Sequence, residues 1–229
     1  MSSNHHEAGC SRLEAARRLR PTRSRALTRT QLEGNSGDAR PALPDFGREF
    51  RTCDPVTRRY VVFSHGQESG PWGRKISALA ETARAEGYGA ESVDYRGIDS
   101  PRERIAKLVE FCKDLSGDLV LVGSSLGGYV ALASASLLHA RGVFLMAPAI
   151  YMEGLPELRP GVLDCPATIV HGWRDEVVPW EHSVRFAQTY GATLHLLDGD
   201  HRLHDQIRVI RYLFECFLIG LDLPESTLK

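Results

Sequence analysis

The chain has 229 residues, of which 42% are hydrophobic and 25% are charged, and its formal net charge is -1. These values are typical of a soluble globular protein that is long enough for one domain with a sizeable core. No apolar run approaches the roughly 20 residues that span a bilayer, and the N-terminus lacks the apolar segment of a secretory signal. We therefore expect neither a membrane span nor export.

Arginine is in excess over acidic residues in the N-terminal segment. Residues 1–51 contain ten Arg and six Asp or Glu, interleaved with Ser, Thr, Gly and Pro. We expect residues 1–45 to be a poorly ordered extension with no part in the chemistry, and residues 46–229 to form one domain. The arginines could contact nucleic-acid phosphates, and the segment also resembles an organelle presequence, although Glu7 and Glu14 weaken that comparison. We favour a dispensable leader and expect no nucleic-acid partner.

The cysteines give no sign of a zinc or redox site. They are odd in number, widely scattered and free of any Cys-x-x-Cys pair: Cys10, Cys53, Cys112, Cys165 and Cys216. Scattered thiols of this kind are typical of a reducing compartment. We expect the cytoplasm.

Short apolar runs alternate with helical patterns from residue 60 onward. The predicted strands span residues 60–64, 91–95, 119–123, 142–147, 167–172 and 193–198. The predicted helices span residues 74–86, 101–115, 126–139 and 180–190, and a final amphipathic helix carries Ile207, Ile210, Leu213, Phe214 and Phe217 on one stripe. Ser100 and Pro101 suit the N-cap and the first position of the second helix.

This alternation predicts an α/β fold. Strand-helix-strand units need right-handed crossovers, which give a mainly parallel sheet of about six strands with helices on both faces. In such sheets the functional residues gather in loops at the carboxyl ends of the strands. Each polar motif of this chain falls in such a loop.

The segment Gly123-Ser124-Ser125-Leu126-Gly127 has the spacing of a nucleophile elbow. It follows an apolar run of Leu and Val suited to a central strand, and an Ala-rich helix follows it. A side chain at the tip of such a sharp turn sits in a strained backbone conformation, and the flanking glycines let neighbouring chain pass without Cβ clashes. Ser125 is therefore the candidate nucleophile, facing the positive end of the next helix.

A base and a carboxylate for this serine follow two later strands. A serine hydroxyl is a weak nucleophile at neutral pH and needs a base whose tautomer a carboxylate fixes. Asp175 follows the strand at 167–172, and His201 follows the strand at 193–198. We expect both side chains on the same rim of the sheet as Ser125.

The order Ser, Asp, His and the segments that carry it resemble the serine α/β-hydrolase superfamily. The matching segments cover residues 60–219: Ser64-His65-Gly66-Gln67, Gly123-Ser124-Ser125-Leu126-Gly127, His171-Gly-x-x-Asp175-x-x-Val178-Pro179 and Gly199-Asp200-His201. The resemblance implies a Ser125, His201 and Asp175 triad, with the backbone N–H groups of Gln67 and Leu126 as the oxyanion hole. It implies no cofactor.

The resemblance is to the small bacterial esterases of the superfamily, which lack a helical cap. Residues 148–166 are long enough for a lining loop but short for a cap, so the pocket should be open and shallow. Tyr151, Met152 and Trp173 are candidate apolar walls, although core packing explains them nearly as well. The implied substrates are short-chain carboxylic esters or acyl thioesters. Lys75 and its basic neighbours near the rim could take an anionic leaving group or be ordinary surface charges.

Other residues compete for each of these roles. Ser124 is not central in Gly-x-Ser-x-Gly and fits packing, and His65 fits a structural role in the oxyanion loop. His204 is expected on the first turn of the last helix, at the surface. Neighbouring carboxylates that a loop could display for solubility alone are Glu176, Asp198 and Asp200. The histidines have no metal-site spacing, and the phosphate-binding glycine motifs are absent.

The sequence thus predicts a serine hydrolase that cleaves carboxylic esters of small acyl compounds through an acyl-enzyme. A thioesterase or a serine peptidase would use the same three residues. A binding protein that retains the fold without turnover is the alternative from another class. The oligomeric state is left open.

Overall fold

Six strands and five α-helices lie in residues 58–158, 161 and 163–223, the part of the chain that this computed structural model describes. The strands are β1 Arg59–Ser64, β2 Gly89–Val93, β3 Asp118–Ser124, β4 Gly142–Met146, β5 Ala167–Gly172 and β6 Thr193–Leu197. The helices are α1 Arg74–Ala85, α2 Pro101–Cys112, α3 Leu126–Ala135, α4 Trp180–Tyr190 and α5 Ile207–Asp222. The poorly ordered extension predicted for residues 1–45 lies outside the described residues.

The strands form one sheet in the order β2-β1-β3-β4-β5-β6, and every pairing is parallel. The predicted α/β fold with about six parallel strands is confirmed. The chain steps outward from β1 to β2, returns past β1 to β3 and then continues in one direction to β6. The connections after β1 and β3 therefore leave in opposite directions, which opens a crevice at the carboxyl ends of these two neighbouring strands.

The side chains of β3 divide the core into two layers, because successive residues of a strand point to opposite faces. Leu119 and Leu121 pack in the cluster that α2, α3 and α4 cover. Val120 and Val122 pack in the cluster that α1 and α5 cover. Both faces of β3 are buried, as the unbroken Leu and Val run predicts for a central parallel strand.

Helix α2 begins where the sequence predicts. The Ser100 side chain accepts a hydrogen bond from the Glu103 amide at 3.3 Å, and Pro101 occupies the first helical position. Both features satisfy or remove amide donors that the first turn leaves without a partner. The helix ends at Cys112, three residues before the predicted end.

Strand β2 is displaced by two residues from its predicted position. Gly89 opens the strand opposite Tyr60, where a Cβ atom would lie 2.7 Å from the Tyr60 ring, so the missing side chain admits the ring. The strand stops at Val93 because the next two residues have partners outside the sheet. The Asp94 carboxylate accepts from the Arg96 amide at 3.0 Å, and the Tyr95 amide donates to His65 at 2.8 Å.

Helix α5 has the predicted apolar stripe and closes one face of the sheet. Phe214 lies edge-on to Phe144 of β4, with ring centroids 5.0 Å apart, and both side chains are fully buried. His204 lies in a short 3-10 turn before the helix rather than in its first turn. None of the described helices is both long and apolar enough to cross a bilayer.

We predict that Phe144→Ala destabilises the fold by about 3–5 kcal/mol, because it removes a fully buried aromatic ring from beneath α5. Urea unfolding followed by circular dichroism measures the change. Leu137→Ala is the control, since this side chain is 62% exposed and its loss should change the free energy of unfolding by no more than about 0.5 kcal/mol. Equal effects of the two substitutions would contradict this account of the core.

Candidate active site

Ser125 occupies a strained turn between β3 and α3. Its φ of 55° and ψ of -124° lie in a region that non-glycine residues rarely adopt. The surrounding backbone fixes the turn: the Ser125 amide donates to the Met146 carbonyl at 3.0 Å, and its carbonyl accepts from Ala149 at 3.0 Å. The hydroxyl therefore stands at the carboxyl end of the sheet, next to the crevice between β1 and β3.

The glycines on either side of Ser125 are required by close backbone contacts. A Cβ atom on Gly123 would lie 2.3 Å from the Gly127 carbonyl oxygen, and one on Gly127 would lie 2.1 Å from the Ser64 carbonyl oxygen. Such distances are far inside van der Waals contact. The first turn of α3 can therefore pack against the ends of β3 and β1 only with glycine at these positions.

His201 bridges Ser125 and Asp175. Its Nε2 atom lies 3.0 Å from the Ser125 hydroxyl, and its Nδ1 atom lies 2.7 Å from Oδ2 of Asp175. Nδ1 faces a carboxylate and so carries the proton, which leaves Nε2 free to accept from the serine. The three residues predicted to meet, which come from loops after β3, β5 and β6, lie in one hydrogen-bonded line.

The loop that carries His201 rests on the end of β5. A Cβ atom on Gly172 would lie 2.2 Å from the Gly199 carbonyl oxygen, so the two loops touch through their backbones. The Asp200 carboxylate accepts from the Leu203 amide at 2.9 Å. Asp200 thus shapes this loop, whereas the exposed Asp198 pairs with Arg174 at 3.1 Å.

The Asp175 carboxylate is inaccessible to solvent and accepts four hydrogen bonds. Oδ1 accepts from the amides of Val177 and Val178 at 2.9 and 2.8 Å, and Oδ2 accepts from His201 and from His171 at 3.0 Å. Burial alone acts to raise the pKa of Asp175, but the hydrogen bonds from the two histidines and the two amides outweigh it. The pKa therefore lies well below its usual range, and the group stays anionic at neutral pH.

His171 is a site residue that the sequence prediction did not single out. Its ring is fully buried at the end of β5, with Nε2 within 3.0 Å of Asp175 Oδ2 and 3.1 Å of the Val178 carbonyl. Two acceptors face Nε2, so Nε2 carries the proton and Nδ1 accepts from the Ser183 hydroxyl at 2.7 Å. The sequence feature that could have indicated this role is the position of His171 four residues before Asp175 in the same motif.

The two predicted oxyanion donors belong to two segments that adjoin Ser125. Gln67 is exposed in the loop after β1, and Leu126 is the first residue of α3. Among the described residues, neither amide donates to a protein acceptor. Gly66 brings the loop against the serine, since a Cβ atom there would lie 3.3 Å from the Ser125 Cβ atom.

Lys75 on the first turn of α1 adds a cation to the surroundings of the site. Burial lowers its pKa to about 8, and the negative charges of Asp175 and Asp200 oppose that shift. It takes part in none of the ion pairs formed within the described residues. The half-buried ammonium group is therefore within electrostatic reach of the site and has no fixed partner in the described structure.

The three candidate wall residues lie in the loops that follow β4 and β5. Trp173 is 55% exposed and lines an open depression of about 490 Å³, together with Asp175, Val177 and Trp180. Tyr151 packs against α4, with the Arg185 guanidinium 4.2 Å from its ring centre. Met152 follows it and is half-buried. A substrate-binding role for Trp173, Tyr151 and Met152 stays a prediction.

The connection between β4 and β5 contains no helix or strand in its described residues, 147–158, 161 and 163–166. An inserted helical cap is therefore absent from the described part of this connection. Ser124 is buried and Glu176 is exposed. No group of three metal-ligating side chains is placed to hold an ion within the described residues.

Comparisons with known proteins agree on one family. The model of the Alpha/beta hydrolase family matches residues 61–221. A hydrolase of the alpha/beta superfamily from Xanthomonas campestris pv. campestris is 34% identical, with a TM-score of 0.67, covering 71% of this chain and 99% of that one.

Two further proteins are more distant. A serine hydrolase without a lid, also from Xanthomonas campestris, is 19% identical, with a TM-score of 0.55, over 71% of this chain and 83% of that one. Mouse mitochondrial palmitoyl-protein thioesterase ABHD10 is 23% identical over 207 residues, which cover 64% of this chain and 70% of the thioesterase.

We predict that Asp175→Asn lowers the free energy of unfolding by about 2 kcal/mol at neutral pH, because hydrogen bonds to a buried carboxylate are lost. A carboxylate whose pKa is depressed by folding stabilises the fold above its unfolded pKa, and this contribution is lost on acidification. The difference between wild type and variant should therefore shrink below about pH 4.

Urea unfolding of both proteins from neutral to acidic pH measures this difference. Glu176→Gln is the control, because Glu176 is an exposed carboxylate of the same loop and its loss should have little effect at any pH. A difference between wild type and Asp175→Asn that is constant with pH would contradict the prediction.

Proposed function

Because the chain belongs to the alpha/beta hydrolase family, we propose that it is a serine hydrolase that cleaves carboxylic esters of small acyl compounds. The observation that carries the proposal is the hydrogen-bonded line from Ser125 through His201 to the buried Asp175 carboxylate. A serine of this kind is activated by an adjacent base whose tautomer is fixed by a carboxylate.

In the proposed acylation step, Ser125 Oγ attacks the acyl carbonyl carbon and its proton passes to His201 Nε2. Asp175 holds the ring in position and stabilises the imidazolium that forms. The carbonyl oxygen becomes an oxyanion, for which the amides of Gln67 and Leu126 are the proposed donors. The leaving alkoxide takes the proton from His201 and departs as an alcohol, which leaves an acyl ester on Ser125.

In the proposed deacylation step, a water molecule attacks the acyl-enzyme carbonyl and His201 takes its proton. The tetrahedral intermediate collapses with Ser125 Oγ as the leaving group, and His201 returns the proton to it. The products are a free carboxylic acid and the original enzyme. The depressed pKa of Asp175 supports this sequence, because the carboxylate stays charged while the proton resides on His201.

Small acyl substrates are favoured by the described part of the β4–β5 connection. The described residues of the β4–β5 connection form no cap, and an open site offers little apolar surface to a long chain. Thioesters are the second candidate class. The similarity to palmitoyl-protein thioesterase ABHD10 supports this class, and the same three residues would act on either bond.

We predict that a fluorophosphonate probe labels the intact protein at Ser125. Ser125→Ala should abolish labelling, and His201→Ala should lower the turnover of p-nitrophenyl acetate by about 10⁴-fold or more, because the serine loses its base. Ser124→Ala is the matched control, since Ser124 is the adjacent residue and its side chain is buried; it should still label. In-gel fluorescence and initial rates measure both effects.

A folded wild-type protein that neither labels nor turns over substrate would support the binding-protein alternative instead. Matched oxygen ester, thioester and aminoacyl amide substrates with one acyl group separate the three hydrolase classes. An esterase should prefer the oxygen ester by kcat/KM, and a preference for the thioester would move the proposal to the second class.

We predict that Lys75 favours acyl substrates that carry a negative charge. Lys75→Met should lower kcat/KM for a succinate monoester by about tenfold relative to the matched neutral ester, because a charge-assisted contact is lost. The preference of the wild type for the charged ester should also decline as the pH rises through about 8, where the lysine loses its proton.

Arg74→Met is the matched control for Lys75, because it removes an exposed cation from the adjacent position. It should leave the ratio of the two kcat/KM values close to that of the wild type. Equal loss of this ratio in both variants would indicate a general surface-charge effect and would contradict the role of Lys75.

A further inference from the structure

Arg104 is a buried cation without a carboxylate partner in the described structure. The residue lies on α2 and is 1% exposed. It is absent from the ion pairs of the described residues. Burying a charged group is costly unless hydrogen bonds compensate for the lost water. The contacts of its guanidinium therefore indicate what the residue does.

The Arg104 guanidinium joins the loops that follow β1 and β2. Its Nε donates to the Ile98 carbonyl at 2.7 Å, in the loop after β2. Its Nη1 donates to the His65 carbonyl at 3.3 Å, in the loop after β1. The guanidinium also lies 5.3 Å from the centre of the Tyr95 ring, which is fully buried. One planar group thus donates hydrogen bonds to both loops and lies over the Tyr95 ring.

His65 makes a second connection between the same two loops. The Tyr95 amide donates to its Nε2 at 2.8 Å, so Nε2 accepts and Nδ1 carries the proton that is donated to the Gly66 carbonyl at 2.7 Å. Burial lowers the pKa of His65, and the nearby positive charge of Arg104 acts in the same direction. The ring is therefore neutral at pH 7, as its acceptor role requires.

These contacts end one residue before the proposed oxyanion donor. Gly66 lies against Ser125, and the next amide belongs to Gln67. The Gln67 side chain donates to Asp99 at 3.2 Å, which ties the same residue to the loop after β2. Arg104 binds the carbonyl of His65, which lies two residues before Gln67. It therefore constrains where the Gln67 amide lies relative to Ser125.

We propose that Arg104 is a positioning residue that holds the Gln67 amide in place for the oxyanion. The inference rests on the proposed serine hydrolase function and extends it to a residue outside the hydrolase motifs. Arg104 acts through the His65 backbone and does not touch the substrate. Lysine cannot replace it, because a single ammonium group lacks the planar fork that reaches two carbonyls while stacking on a ring.

The test compares Arg104→Lys and Arg104→Met with the wild-type protein. Active sites are counted by end-point fluorophosphonate labelling, so that kcat refers to labelled protein only. Loss of one oxyanion donor lowers turnover by about 10²–10³-fold, and a displaced donor should lower it by about 10–100-fold, with KM within about threefold of the wild type. Arg102→Met is the matched control, because Arg102 is exposed on the same helix.

The second readout is the affinity for a phenylboronic acid, whose tetrahedral adduct with serine places an oxygen where the oxyanion forms. A displaced Gln67 amide should weaken boronate binding in parallel with kcat in both variants. A purely structural role would lower the unfolding temperature and the number of labelled sites but would leave kcat per site and boronate affinity unchanged.

Wild-type values of kcat per site and boronate affinity in either variant would overturn the role of Arg104. Arg104→Lys retains the charge and most of the volume, so it provides the test if Arg104→Met does not fold. Failure of the proposed function itself looks different. In that case the wild-type protein would show neither labelling nor turnover.

Discussion

The contact between Gly127 and the Ser64 carbonyl is the constraint on which the rest of the site depends. It places the first turn of α3 directly on the end of β1, at a distance that no side chain would allow. Because β1 and β3 are neighbours in the sheet and their connections diverge, this contact also closes the base of the crevice between them. Ser125 and the loop that holds Gln67 can meet only because the two backbones approach so closely.

The electrostatics of the site change from its buried side to its solvent side. Asp175 and His171 are closed to water and fully hydrogen-bonded, whereas the side chain of His201 is 20% exposed. A buried carboxylate with four donors has no reason to move or to titrate near neutral pH. Lys75 differs from Asp175, because burial lowers its pKa to about 8 and its charge therefore changes a little above neutral pH.

Much of this arrangement could be predicted because the signals are local. An unbroken Leu and Val run gives a central strand, and the Gly-x-Ser-x-Gly spacing gives a turn at its end. The order of motifs along a parallel sheet then places Asp175 and His201 at the same rim. Strand β2 was misplaced by two residues, because its register depends on the packing of Gly89 against Tyr60 and on partners of Tyr95 far away in sequence.

The contacts of His171 and Arg104 could not be predicted from the sequence for a related reason. A histidine at the end of a strand and an arginine in a helix have no pattern that distinguishes a buried hydrogen-bonded group from an ordinary one. The two faces of α2 differ in burial only because of where the helix packs, so Arg102 is exposed while Arg104 is enclosed. Such roles emerge from tertiary contacts rather than from spacing.

The candidate site residues follow strands that differ in burial, because β6 lies at an edge of the sheet and β3 lies inside it. Among the described strands β6 is an edge strand paired only with β5, and none of its residues is fully buried. The loop that carries His201 follows this strand, whereas Ser125 follows β3, which is buried at every residue after Asp118. Edge elements with few buried contacts open at a lower free energy than the core. Heating or denaturant should therefore separate His201 from Ser125 through local opening, so that amide hydrogen exchange in β6 reports the loss of the hydrogen bond between them before global unfolding begins.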